Sequence, residues 1–171
     1  MVRNKAGFSL IELLIVVAII LIIAAIAIPD LLKSKTAANQ ASAVGSLRVI
    51  VTSEVSYSST YTLGFSSNLA QLDGNAVPST SASAGLIDSV LASGVKSGYN
   101  IYYVPFVVPA VPNNGSLAAG PCGAVPINVF QVSGNPLGGV GFGTYYFTDP
   151  SAVIRQNAKA PAGPADTPIG N

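Results

Sequence analysis

With 171 residues the chain has room for one modest domain and an accessory segment, and two large domains are excluded. Half of its residues are hydrophobic and only 9% are charged; at a formal charge of +1, with Lys96, Arg155 and Lys159 scattered, there is no basic footprint for nucleic acid. Histidine is absent, which removes the commonest general base and the most frequent transition-metal ligand, so neither an enzyme nor a metal or cofactor site is expected. The single cysteine, Cys122, sits in a Gly-Pro-Cys-Gly loop, cannot close a disulfide within the chain, and reads as a buried or loop thiol rather than a reactive one.

The front of the chain is where charge and hydrophobicity separate. Across residues 8–28 the only polar side chains are Ser9 and Glu12, and a helix of that length covers about 31 Å, roughly one hydrocarbon core. A short basic leader with Arg3 and Lys5 precedes it and favours a cytoplasmic front end, although Lys33 and Lys35 beyond the span weaken the charge bias. Three readings compete for this segment. An ordinary secretory signal would use Ala25-Ile26-Ala27 as a cleavage site, but the apolar block is longer than such signals need and a carboxylate stands at its start. A plain anchor explains the length and leaves Glu12 as a cost, since a charge at mid-bilayer is unfavourable by about 2.5–3.5 kcal/mol. The third reading supplies a partner for it. Cutting between Gly7 and Phe8 creates an α-amine one helical turn before Glu12, within the same helix or, after an axial shift, in a neighbouring copy. A buried carboxylate then becomes a rule for register, and its place in the first turn also suits the helix dipole.

GFSLIELLIVVAII, behind a short basic leader and ahead of a proline that closes the apolar run, closely resembles the class III signal of type IV pilins and type II secretion pseudopilins. The resemblance covers about the first 35 residues. It implies a prepilin peptidase that cuts at Gly7/Phe8, N-methylation of Phe8, Glu12 as the assembly glutamate and Pro29 as the helix kink. It implies further a bacterial precursor held in the inner membrane, inner-membrane assembly machinery as a partner, and a homo-oligomeric helical filament at the cell surface as the product. A pseudopilin of a type II secretion system is the alternative within the family. Outside it stand a secreted binding domain that begins at Ile28 and a permanently anchored one. Two departures qualify the likeness: one cysteine cannot form the disulfide that many pilins use to tie the C-terminal part, and the acidic calcium loop of major pseudopilins is not visible.

Pro29 removes one backbone hydrogen bond and opposes the carbonyl of Ala25, so a bend is expected in a helix that continues past it. Continuation is expected because Ala37, Ala41, Val44, Leu47, Val51 and Val55 recur at helical spacing. Tyr57, Tyr61 and Phe65 read as packing against a sheet, and residues 56–67 and 78–83, rich in Ser and Thr, as connecting loops. Leu86, Ile87, Val90 and Leu91 give a short amphipathic turn that Gly94 closes. Residues 98–108 and 127–132 read as strands, with Pro105 demanding an edge or a bulge, and residues 145–148 and 152–155 as a hairpin across Asp149-Pro150-Ser151.

Other motifs resolve to connections. The glycines of residues 137–143 lack the spacing of a phosphate loop, and Asp73-Gly74-Asn75 lacks the ligands of a calcium loop. Asn114-Gly115-Ser116 is a bare sequon, and residues 157–171 should be a loosely held tail. The expected fold is therefore α+β, a long N-terminal helix packed on a small antiparallel sheet. Its expected parts are a leader (1–7), a membrane and filament-core helix (8–29), an amphipathic helix (30–61) and a β-sheet head with a loose tail (62–171).

Overall fold

A computed structural model describes residues 7–74, 78–106, 127–139 and 143–170. Arg3, Lys5, Asn75, the sequon at 114–116, Cys122 and the last two residues of the strand expected at 98–108 lie outside the described residues. Two compact units emerge, Met1–Ala38 and Asn39–Asn171, and a single helix, α1 (Leu10–Tyr61), contributes to both.

In the first unit the helix runs on through Pro29, so the proline does not end it. Its apolar residues from Leu10 to Leu32 stand open, Leu10 at 81% and Leu31 at 68% exposure, with nothing among the described residues of the unit to cover them. Asp30 and Lys33, one turn apart at 3.9 Å, are both exposed and contribute little.

The second unit is built around the rear of α1. After the helix come α2 (Leu69–Leu72), α3 (Ser89–Ala92) and the strands β1 (Val95–Lys96), β2 (Tyr99–Phe106), β3 (Val129–Pro136), β4 (Tyr145–Thr148), β5 (Arg155–Asn157) and β6 (Thr167–Pro168). They form one antiparallel sheet in chain order, a meander. The expected α+β arrangement of a long N-terminal helix and an antiparallel sheet is what the chain adopts.

Alternation on the strands explains where the core lies. Tyr99 and Ile101 of β2, Phe130 and Val132 of β3 and Tyr146 of β4 face one way and close on Leu47, Ile50, Val51 and Tyr57 of α1. Ring pairs lock that contact: Phe65 meets Phe130 edge-on at 4.8 Å, and Tyr103 stacks on Phe130 at 5.8 Å. Tyr57 and Tyr61 pack together at 4.9 Å, so these aromatics serve the core as expected.

β2 and β3 pair without a bulge from Tyr99↔Pro136 to Phe106↔Val129. Pro105 is accommodated because β1 pairs only with Tyr99 and Asn100, which leaves the outer half of β2 as an edge among the described residues. Between β1 and β2, Ser97 and Gly98 both take positive φ, 50° and 77°, which is the twist that a two-residue hairpin of antiparallel strands needs.

Several expectations require correction. The buried face of α1 is rotated from the one proposed: Ala43, Ser46, Leu47, Ile50, Val51, Ser53, Glu54 and Tyr57 are buried, whereas Ala37, Ala41 and Val55 are exposed. Polar residues enter that face because tertiary partners satisfy them, as when Ser53 Oγ donates to Leu86 O at 3.2 Å. Residues 56–61 are helical, as the helix expected to 61 has them and the Ser-rich loop reading does not, the second expected strand begins at Val129, and the hairpin strand begins at Arg155, after Ala152 at a φ of 60°.

The tail is not loose either. β6 pairs with β5, Asp166 accepts from Gly163 N at 2.7 Å and from Asn157 Nδ2 at 3.0 Å, and Ala162 is buried against Tyr145 and Phe147 on the far face of the sheet. That contact makes β4 buried on both faces.

Candidate functional site

The residues singled out at the front lie close together along one turn. Gly7 has open space about it, Phe8 is 82% exposed, and helix α1 begins two residues later. Ser9 stands just before the helix and its carbonyl accepts from Leu13 N at 3.3 Å. Glu12 reaches back to Ser9 N, its Oε2 accepting at 3.0 Å. Ser9-Leu10-Ile11-Glu12 is thus the acid half of a capping box, in which a carboxylate three residues into a helix satisfies the amide of the capping residue. The S-x-x-E spacing is itself a sequence signature of a helix N-terminus.

Capping accounts for one oxygen of Glu12 and for its place in the first turn, where the helix dipole favours negative charge. It does not account for the surroundings. The carboxylate opens the one described helix long and apolar enough to cross a membrane, and none of the most apolar window of that helix is buried. So long an uncovered apolar surface is not a stable end state in water, and it calls for lipid or for other copies of the same surface. Pro29 lies inside α1 toward the far end of that stretch.

The second unit holds a carboxylate of the opposite kind. Glu54 is fully buried, with Oε2 accepting from Ser66 N at 2.8 Å and Oε1 within 2.5 Å of Ser66 Oγ. Burial raises its ionisation above the ordinary carboxylate range, against the two Ser66 hydrogen bonds and a weaker one from Tyr103, which act the other way. Tyr103 of β2 donates its hydroxyl to Ser66 O at 2.8 Å, and its phenol is also pushed up, chiefly by burial. Nothing in the local pattern of residues 51–57 signals this arrangement, because Ser66 is twelve residues on and Tyr103 belongs to a strand.

Glycines mark the close approaches around this core. Gly64, at φ 83°, bridges to Ile127, and a Cβ there would collide with the Ile127 carbonyl. Asp73 bridges to Ile87, and Gly74 N donates to Asp73 Oδ1 at 2.7 Å. Among the described residues no three of His, Cys, Asp and Glu come together as metal ligands.

A pilin-like α+β architecture with an uncovered apolar helix front is therefore the class that fold and site define. Residues 2–28 match the family model described as the prokaryotic N-terminal methylation motif. Over 55 residues the chain is 49% identical to the type IV major pilin protein PilA of Myxococcus xanthus, which covers 32% of this chain and 24% of that protein. Over 37 residues it is 62% identical to the type IV wide pilus major component PilA4 of Thermus thermophilus, which covers 22% of this chain and 28% of that protein. The chain thus spans about a quarter of the length of these curated relatives. No solved structure matches it. In its N-terminal segment, the part these matches cover, the chain is similar to type IV pilins.

Proposed function

We propose that the chain is a structural subunit of a type IV pilus-like filament, made as a precursor, cut between Gly7 and Phe8 by a prepilin peptidase and assembled through its N-terminal helix. The observation that carries this reading is the uncovered apolar front of α1, with Glu12 at its start, inside a segment that matches the methylation motif. Before assembly the bilayer covers that surface, and in the filament neighbouring copies do. At about 25 cal/mol per Å² of apolar surface, burying such a span against neighbours supplies tens of kcal/mol before entropy is subtracted.

Division of labour follows from the chemistry. Hydrophobic burial drives assembly without direction, whereas a carboxylate in an apolar environment tolerates only those registers that bring it a cation. Once cleavage has freed it, the N-methylated amine of Phe8 is that cation, in the same subunit or the next. Glu12 keeps its bond to Ser9 N in the uncut chain and turns toward the amine afterwards. Pro29 supplies the bend between the lipid-facing and head-facing parts of the helix. The inner membrane holds the precursor, assembly machinery extracts it, and the cell surface carries the product. The relatives are named for pilus structure and not for a reaction, which agrees with a structural rather than a catalytic role.

Intact mass of the protein from sheared surface filaments tests the reading. The expected mass is that of a chain beginning at Phe8 and carrying one additional methyl group. A mature protein that begins at Met1, or beyond the apolar block, overturns it.

A further inference from the structure

Glu54 lies outside the front segment and takes no part in the assembly proposed above. It is completely buried, and the described ion pairs, Lys33 with Asp30 and Lys96 with Asp88, do not include it. No cation is among the groups that act on it; those that do are Ser66 from the 62–68 loop and the phenols of Tyr57 on α1 and Tyr103 on β2. Both phenol protons are already given away, that of Tyr57 to Ser81 O at 2.7 Å and that of Tyr103 to Ser66 O at 2.8 Å. The amide and the hydroxyl of Ser66 donate to the carboxyl group, and the Tyr103 hydroxyl, whose proton goes chiefly to Ser66 O, adds a third, shared hydrogen-bonding contact to it.

Ser66 Oγ has one proton and two acceptors in reach, Glu54 Oε1 at 2.5 Å and Asn68 O at 3.1 Å. If Glu54 is ionised, that proton must go to the carboxylate, the bond to Asn68 O is lost, and a charge stays in the core with no counterion. If Glu54 is neutral, every position is filled: Oε2 accepts from Ser66 N, Oε1–H donates to Ser66 Oγ, and Ser66 O–H donates to Asn68 O. We infer that at neutral pH Glu54 stands in the folded head as the neutral acid, its proton held on Ser66 Oγ, so that the junction of α1, the 62–68 loop and β2 is a latch that alkaline pH opens.

The direction of the pH effect follows from burial. An acid whose ionisation is raised in the fold stabilises the fold fully at pH below its unfolded value, and that contribution is lost as pH rises through the folded value. Ser66 joins all three elements, its amide and hydroxyl to α1 and its carbonyl to β2, so ionisation strains the loop first.

The test uses the full chain in non-ionic detergent, read by difference infrared spectroscopy between neutral and alkaline pH together with thermal unfolding. Wild type should show the carbonyl band of a protonated carboxylic acid at neutral pH, shifted in deuterated water. The band should survive in Glu12→Gln and vanish in Glu54→Gln, whose amide reproduces the donor and acceptor pattern of the neutral acid. The unfolding midpoint of wild type should drop toward alkaline pH, and that slope should flatten in Glu54→Gln. Absence of an acid band at neutral pH, or a band that Glu54→Gln leaves in place, overturns the inference. Should Glu54→Gln fail to fold, the Glu12→Gln spectra decide alone: a band lost only on alkalinisation supports a neutral Glu54, and no band refutes it.

Discussion

Helix α1 carries two glutamates, Glu12 in the first unit and Glu54 in the second, and each accepts a hydrogen bond from the backbone amide of a serine, at 3.0 Å and 2.8 Å. Ser9 is three residues from Glu12, whereas Ser66 is twelve from Glu54 and belongs to another element. Around Glu12 the apolar residues are uncovered; around Glu54 the burial is finished within one chain. The lesson is that the chain completes only one of its two apolar surfaces by itself. The carboxylate in the finished region finds its partners across elements of the same head, whereas the one in the unfinished region has only the amide of its own first turn.

Substitutions can break this contrast. The largest effect is expected from Glu12→Ala, which should leave insertion, processing and the folding of the second unit intact while filament yield collapses. Removing one member of a buried pair costs about 3–5 kcal/mol at each contact. Electron-microscopic counts of sheared filaments against the membrane pool measure it, and normal yield would count against a role in register. Next is Phe130→Ala, at the centre of the second unit against Phe65 and Tyr103, with an expected loss of about 3–5 kcal/mol in denaturant unfolding and no change in cleavage at Gly7. Ser66→Ala removes the hydroxyl that serves Glu54 and should lower stability by about 1–3 kcal/mol.

The smallest effect should come from Asp88→Ala. Asp88 caps α3 by accepting from Leu91 N at 2.9 Å and pairs with Lys96 at 2.8 Å on the surface, so a loss of about 1 kcal/mol is expected. Its pH dependence sharpens the comparison by running the other way. Lys96, and then the Leu91 amide, hold its ionisation below the usual carboxylate range, so its contribution is present above the unfolded value and fades as pH falls through the folded one. Unfolding midpoints across the acid range, with and without Asp88, check the sign.

How far the sequence reveals these features depends on where each residue finds its partner. The front was legible because its signal is local: an apolar run of helical length, a carboxylate one turn into it, and a proline at its end. β2, β3 and the β4–β5 hairpin were legible from their β-branched and aromatic residues and from Asp149-Pro150-Ser151. The buried face of α1 was not. Ser46, Ser53 and Glu54 look like solvent-facing positions until Leu86 O and Ser66 are brought to two of them, and Ala41 and Val55 look like core until the sheet is seen to cover a different stripe. β1 and α2, of two and four residues, are too short for any periodicity, although Ser97-Gly98 as a two-residue turn and Asn68 as a cap for Gln71 N announce them. The tail, rich in Ala, Pro and Gly, reads as loose because its order rests on Asp166, one acid that gathers three scattered groups' worth of chain into a clasp.

Among the described residues both margins of the sheet carry a proline beside their exposed stretch. The outer half of β2 carries Pro105, and β6, only two residues long, closes with Pro168. A proline has no amide hydrogen to offer an incoming strand, and two residues give little to copy. A second copy laid against either margin is thereby discouraged from zipping into an amyloid-like ribbon, which in the filament proposed above leaves contact between subunits to the greasy helices.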